Sequence, residues 1–122
     1  MLSRNTTIGS AVLFSLVIAS ASPALAHAAL LQSNPAPNST VAAPKVIKLT
    51  FSEKLAPAFS GFELSMGDGM TMKVATKVSA DGKSLIGTPS GGFMSGAYKI
   101  SWHAASAEDG HRMEGALTFK VK

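Results

Sequence analysis

The sequence contains no cysteine among its 122 residues. Disulfide bonds, thiolate metal sites and thiol redox chemistry are therefore excluded. Small exported domains often depend on disulfides, so an exported chain without them must be held together by its core, by a metal ion or by both. Any soft metal ligand has to come from the six methionines.

Long hydrophobic runs are missing as well. The most apolar run starts at Ala11 and is about ten residues long, whereas a membrane-spanning helix needs roughly 20. It follows a single charge, Arg4, and precedes the helix-breaking Pro23 and small residues, which is the order of a secretory signal peptide. We predict that residues 1–26 are a cleaved signal peptide and that residues 27–122 form one exported domain. An uncleaved N-terminal membrane anchor is the alternative.

Charged residues are few and dispersed. The chain has 11 lysines and arginines against 7 acidic residues, and loss of Arg4 with the signal peptide lowers the formal net charge from +4 to +3. The lysines form no run, so the basic stripe with stacking aromatics that is typical of nucleic-acid-binding proteins is absent. Gly-x-Ser-x-Gly and glycine-rich phosphate loops are absent too, which argues against hydrolases and nucleotide-binding enzymes.

What the sequence does contain is a series of short apolar runs separated by Gly, Pro, Asn, Asp and Ser. No stretch keeps a period of 3.6 long enough for a helix, whereas residues 46–51 alternate strictly and predict a buried face of Ile47, Leu49 and Phe51. The pattern predicts an all-β, Greek-key β-sandwich or barrel. Its strands, about seven in number, are predicted at residues 28–32, 46–51, 61–65, 71–78, 84–88, 96–103 and 115–121.

Two places in the mature chain offer metal ligands. If the signal peptidase cuts after Ala26, His27 gains a free α-amine beside its imidazole, and the two nitrogens can chelate a metal. Asp109 and His111 would project the same way from extended backbone, and Gly110 would let the chain bend close to an ion. Three nitrogens and one oxygen suit tetragonal Cu(II), whereas Zn(II) prefers a tetrahedral site and Mg(II) or Ca(II) mostly oxygen. The alternative is an aspartate that caps a turn beside a solvent-exposed histidine.

Further segments accompany these two places, namely Phe51-Ser52-Glu53, Ser60-Gly61, residues 66–72, Gly96-Ala97-Tyr98-Lys99, Trp102 and residues 115–121. Together with His27 and Asp109-Gly110-His111, and in the same order, they resemble the CopC family of copper-resistance proteins over essentially all of residues 27–122. The resemblance implies a small cupredoxin-like, Ig-like β-barrel in the periplasm, which carries copper as a monomer and does no chemistry on a substrate.

The resemblance also implies roles for individual residues. His27, Asp109 and His111 match the family's Cu(II) ligands. Glu53 matches a nearby carboxylate, in the outer sphere or weakly above the metal plane; its alternative role is a corner residue that bonds backbone amides. The partners implied are the copper ion and a CopD-type inner-membrane copper transporter, with no nucleic acid or polysaccharide. Storage, import and detoxification all agree with such a carrier.

Some members of the family carry a second, methionine-rich Cu(I) site that includes a histidine. The matching segment here holds Met66, Met70 and Met72, is shorter and contains no histidine. Three thioethers suit Cu(I), and Met70 and Met72 would share one face of a strand. Methionine is also the usual filler of irregular core gaps, and this structural role is the favoured interpretation.

Two other function classes are the alternatives. An N-terminal histidine that chelates copper is also the centre of lytic polysaccharide monooxygenases. In this chain Asp109 would fill a position that such an enzyme leaves open for oxygen, and its charge would stabilise Cu(II) against reduction. A metal-free Ig-like binding or assembly module would suit the fold equally. His103 is expected to point outward from its strand, opposite a core Trp102.

Overall fold

In the computed structural model, which describes residues 29–122, the alternating sequence forms nine β-strands and one short 3-10 turn at Pro57–Phe59. The strands are β1 (Leu30–Asn34), β2 (Thr40–Val41), β3 (Ile47–Phe51), β4 (Gly61–Met66), β5 (Thr71–Met72), β6 (Val74–Val78), β7 (Ser84–Pro89), β8 (Gly96–Ala105) and β9 (Arg112–Val121).

The strands build two sheets that pack face to face. One sheet has the order β1-β3-β7-β6 and the other the order β2-β9-β8-β4-β5. All neighbouring strands are antiparallel except β2 and β9, which are parallel. The chain crosses repeatedly from one sheet to the other, for example between β3 and β4 and between β7 and β8, as in Greek-key sandwiches. The predicted all-β, two-sheet fold is confirmed.

The core consists of the alternate residues that face inward from both sheets. The predicted buried face of β3 is confirmed, and the ring of Phe51 meets that of Trp102 edge to face, with 5.1 Å between centroids. Gly115 lies directly under the indole, where a Cβ would come within 2.3 Å of Trp102 Cζ2. The buried residues of β3, β8 and β9 include Ile47, Leu49 and Phe51 of β3, Tyr98, Ile100 and Trp102 of β8, and Leu117, Phe119 and Val121 of β9.

The strand predicted at residues 71–78 is two strands in different sheets. β5 pairs with β4, and β6 pairs with β7, so the chain leaves one sheet and enters the other at Lys73. The short strand β2 was not predicted, because it has two residues and depends on its parallel pairing with β9. The connection between the strands predicted at residues 96–103 and 115–121 is shorter than expected, since β8 continues through the buried Ala104 and Ala105 and β9 begins at Arg112.

Residues 1–26, with the predicted signal peptide, and His27 lie outside the described residues. Within residues 29–122, no helix is both long enough and apolar enough to cross a membrane.

Candidate metal centre

The predicted ligands Asp109 and His111 lie in the turn between β8 and β9, residues 106–111, called here the Asp-His turn. Oδ1 of Asp109 accepts a hydrogen bond from the backbone N–H of His111 at 2.9 Å. Gly110 has a φ of +72°, and its N–H donates to the carbonyl oxygen of Ser106 at 2.9 Å. The backbone is therefore a tight turn rather than the extended chain expected from the sequence, and glycine is needed because of the positive φ.

Both side chains of the pair are exposed at the surface of the turn. The pKa of the Asp109 carboxyl lies below its usual value, above all because the backbone N–H of His111 donates to it. A hydrogen bond from the Ser106 hydroxyl and the charge of His111 lower the pKa further, and together these contributions outweigh the effect of desolvation. Asp109 is thus an anionic oxygen donor at neutral pH, two residues from an imidazole. The same hydrogen bond is the turn cap that the alternative interpretation describes.

Residues 52–56, which follow β3 and are called here the connecting segment, form hydrogen bonds both to the Asp-His turn and to Ala29, the residue before β1. On one side, the N–H of Ala107 donates to the carbonyl oxygen of Lys54 at 2.9 Å. On the other side, Ser52 and Ala29 exchange two hydrogen bonds of 2.9 Å, from Ser52 N to Ala29 O and from Ala29 N to Ser52 Oγ. The start of the described chain and the Asp-His turn therefore lie at the same end of the sandwich.

Glu53 belongs to this connecting segment and is half-buried. Among the described residues its carboxylate accepts no hydrogen bond from a backbone amide, so the structure gives no support to the backbone-bonding role. Within residues 29–122, no three side chains of the His, Asp and Glu type come together as a metal-binding group. The predicted ligands in this range are thus the pair Asp109 and His111, and their role, like that of Glu53 near a metal, stays a prediction.

The predicted thioether ligands lie on the hairpin between β4 and β5, called here the methionine hairpin (residues 64–72). Met72 pairs with Leu64, and the N–H of Met66 donates to the carbonyl oxygen of Met70 at 2.7 Å. This register places Met66, Met70 and Met72 on one face, as expected for Met70 and Met72. Met66 and Met72 are half-buried against the core, whereas Met70 is 63% exposed.

A fourth methionine, Met94, was not among the predicted ligands. It lies in the loop before β8, is 69% exposed, and lines a cavity of about 280 Å³ together with Met66. The hydroxyl of Tyr98 accepts from the N–H of Met94 and donates to its carbonyl oxygen, both at 2.9 Å. Tyr98 pairs with Met66 in the sheet, and its hydroxyl is hydrogen-bonded to the backbone of Met94. The pairing of β4 with β8 therefore brings Met94 close to Met66. Sequence spacing contains no signal for that.

Two further residues, His103 and Met113, lie outside both the Asp-His turn and the methionine hairpin. His103 is exposed on the outer face of β8, opposite Glu114, whereas its neighbour Trp102 is buried, so the predicted orientation of both side chains is confirmed. Met113, two residues after His111, packs partly against the core.

Comparison with known proteins identifies the family. The CopC domain model matches residues 30–122. Copper resistance protein C from Xanthomonas campestris pv. juglandis is 47% identical over 118 residues, which cover 91% of each chain. The crystal structure of PcoC, described as a methionine-rich copper resistance protein from Escherichia coli, is 38% identical, with a TM-score of 0.73, over 79% of this chain and 99% of PcoC.

CopC from Methylosinus trichosporium OB3b is 30% identical, with a TM-score of 0.72, over 79% of this chain and 94% of that protein. The agreement in sequence and in fold extends over nearly all of the described residues. The protein belongs to the CopC family.

Proposed function

We propose that the protein is exported to the periplasm and binds Cu(II) there, for sequestration, transfer or resistance. The ligands are the α-amine and imidazole of His27, the carboxylate of Asp109 and the imidazole of His111. The observation that carries the proposal is the position of the Asp-His turn at the same end of the sandwich as Ala29. The copper-resistance names of the similar proteins support the choice of metal.

The reach of the chain supports the ligand set. His27 is two residues before Ala29, and two extended residues span at most about 7 Å. Ala29 is fixed to Ser52, and Lys54, two residues further, is hydrogen-bonded to the Asp-His turn. The two residues that precede Ala29 therefore begin beside the segment that contacts the Asp-His turn, and Glu53 belongs to that segment as the proposed outer-sphere carboxylate.

The chemistry of the donors favours Cu(II) in a carrier. Three nitrogens and one carboxylate oxygen fill a tetragonal plane, the geometry that Cu(II) prefers. The lowered pKa of Asp109 keeps that oxygen anionic, and negative charge in the plane stabilises the higher oxidation state. A filled plane leaves no equatorial position for oxygen, so we infer a carrier and no enzyme. The partners are the copper ion and a CopD-type membrane transporter, and the protein acts as a monomer.

A second candidate is Cu(I) at the methionine hairpin. The shared face of Met66, Met70 and Met72, with Met94 lining the same cavity as Met66, favours a soft, weakly held ion. Because Met66 and Met72 also pack against the core, this site is the weaker of the two.

The test of the Cu(II) site is a competitive titration of the exported protein after its mass has been measured. His27→Ala, or one extra residue ahead of His27, removes the chelate and is expected to weaken Cu(II) binding by orders of magnitude, with the apo fold intact. Asp109→Ala is expected to weaken it less. His103→Ala is the matched control, because this exposed histidine lies on the outer face of β8. Unchanged affinity in both His27 variants would exclude the site.

A further inference from the structure

The Asp-His turn is built on one buried residue, Ser106, which is 1% exposed although the turn that follows it is exposed. It continues the antiparallel ladder of β8 and β9 by one pair beyond Ala105 and Arg112, because its N–H donates to the carbonyl oxygen of His111 at 2.9 Å. Its own carbonyl oxygen accepts from Gly110 at 2.9 Å. The backbone of Ser106 therefore closes the turn at both of its last residues.

The side chain of Ser106 reaches two further residues of the turn. Its Oγ accepts from the N–H of Glu108 at 3.3 Å. The hydroxyl also faces the carboxylate of Asp109 and contributes to the lowered pKa of that group. A serine hydroxyl has one hydrogen to donate and lone pairs to accept, so it can accept from Glu108 and donate toward Asp109. Glu108, Gly110 and His111 are thus each hydrogen-bonded to Ser106, and the carboxylate of Asp109 lies beside its hydroxyl.

Ser106 also connects the turn to the rest of the site. It forms a β-bridge with Leu55, which lies two residues after Glu53, and the adjacent Ala107 donates to Lys54. The neighbouring Ala56 donates to Ala105 at 2.8 Å. Since the same connecting segment holds Ala29 through Ser52, the position of Ser106 is fixed relative to the start of the described chain.

We propose that Ser106 is the positioning residue of the metal site, which holds Asp109 and His111 in the arrangement that receives the ion before the ion arrives. The inference rests on the proposed function of these two residues. Ligands whose rotamers are fixed in advance lose less conformational freedom on binding, and the groups that orient metal ligands have measurable effects on affinity. An exposed aspartate without this donor would have to be ordered by the metal itself.

The experiment compares Ser106→Ala with Ser106→Thr, which keeps a hydroxyl, and with Ser33→Ala as matched control. Ser33 is also buried, and its Oγ donates to the carbonyl oxygen of Pro35 at 2.9 Å, in β1 rather than in the turn. We expect Ser106→Ala to weaken Cu(II) binding roughly three- to tenfold and to change the EPR parameters of the bound ion. Ser106→Thr should restore both, and Ser33→Ala should leave both unchanged.

Two further measurements separate positioning from general stability. In the metal-free protein, amide exchange of Glu108 and Gly110 should be faster in Ser106→Ala than in Ser33→Ala. In a double-mutant cycle with Asp109→Ala, the Ser106→Ala change should have little additional effect, because Ser106 acts through Asp109. If Ser106→Ala does not fold, Ser106→Thr decides: a folded threonine variant that binds as weakly as Asp109→Ala overturns the inference.

Failure of this inference can be told apart from failure of the proposed function. If Asp109→Ala weakens Cu(II) binding while Ser106→Ala has wild-type affinity and EPR parameters, Ser106 has no positioning role and the metal site stands. If Asp109→Ala and His111→Ala both bind like the wild type, the ligand set itself is wrong and the inference falls with it.

Discussion

The Asp-His turn and the methionine hairpin hold their donor atoms in opposite ways. In the turn, the donor side chains of Asp109 and His111 are exposed, and the backbone beneath them is fixed by hydrogen bonds to the buried Ser106. In the hairpin, Met66 and Met72 lie partly in the core, whereas Met70 is exposed. Met94, in the loop before β8, is exposed as well. The Asp-His turn keeps its candidate donor side chains outside the core, whereas two of those in the methionine hairpin are partly packed in the core.

The difference follows from the chemistry of the donors. A carboxylate or an imidazole is costly to bury without partners, so such ligands stay at the surface and need hydrogen bonds to be oriented. A thioether is apolar and flexible, so it can fill a core gap and still be available to a soft ion. The turn therefore suits the proposed Cu(II) site, whereas any Cu(I) binding at the hairpin would compete with packing.

The largest expected effect separates the two regions by metal affinity. His111→Ala removes one of the proposed equatorial ligands and should weaken Cu(II) binding by roughly 100-fold or more, since loss of an outer-sphere partner alone can cost 10- to 100-fold. Met70→Leu, of similar volume and remote from the turn, should leave Cu(II) binding within about twofold. Competitive Cu(II) titration of both variants checks this, and equal losses would mean that the regions share one site.

The second expected effect concerns stability in the absence of metal. Met66→Ala removes half-buried apolar surface and should lower the free energy of unfolding by about 1–2 kcal/mol, below the 2–5 kcal/mol typical of fully buried methionines. Met70→Ala, at a position that is 63% exposed, should change it by less than about 0.5 kcal/mol. Urea denaturation measures both values. Equal destabilisation would show that exposure does not distinguish the two methionines.

The third expected effect concerns Cu(I). Met94→Leu preserves most of the side-chain volume but removes a thioether from a residue that lines the same cavity as Met66, so it should weaken Cu(I) binding about three- to tenfold with little change in stability. Met113→Leu serves as the control, because Met113 packs partly against the core and does not line that cavity. Competition with a Cu(I) chelator under anaerobic, reducing conditions gives both affinities. Identical values for the two variants would exclude Met94 as a donor.

The smallest expected effect is the pH dependence of the metal-free turn. The pKa of Asp109 is lower in the folded protein than the usual 3.8. Its ionised form therefore adds stability above the unfolded-state pKa, and this contribution is lost as the pH falls through the lower, folded-state pKa. Asp109→Asn should lower the Tm slightly at pH 7, and the difference from wild type should vanish as the pH falls through the folded-state pKa of Asp109. A difference independent of pH would assign the effect to geometry rather than charge.

The sequence predicted the features that depend on local alternation and on residue type. Strict alternation identified the inward face of β3, and the Asp-x-His spacing predicts Asp109 and His111 as ligands, which stays a prediction. It could not predict that the chain changes sheets at Lys73, because β5 and β6 are each held by partners distant in sequence. Ser106 carries no signal in the sequence, since its hydrogen bonds exist only after the turn has folded. Met94 is brought to Met66 by the pairing of β4 with β8.

The most direct test of the Cu(II) site is an electron spin echo measurement on the Cu(II)-loaded, exported protein, whose mass has been shown to correspond to residues 27–122. The account predicts one tetragonal Cu(II) signal, with modulation from two imidazoles in the wild type and from one in His111→Ala. A mature chain that starts elsewhere, a signal without defined nitrogen coupling, or two imidazoles still present in His111→Ala would contradict it.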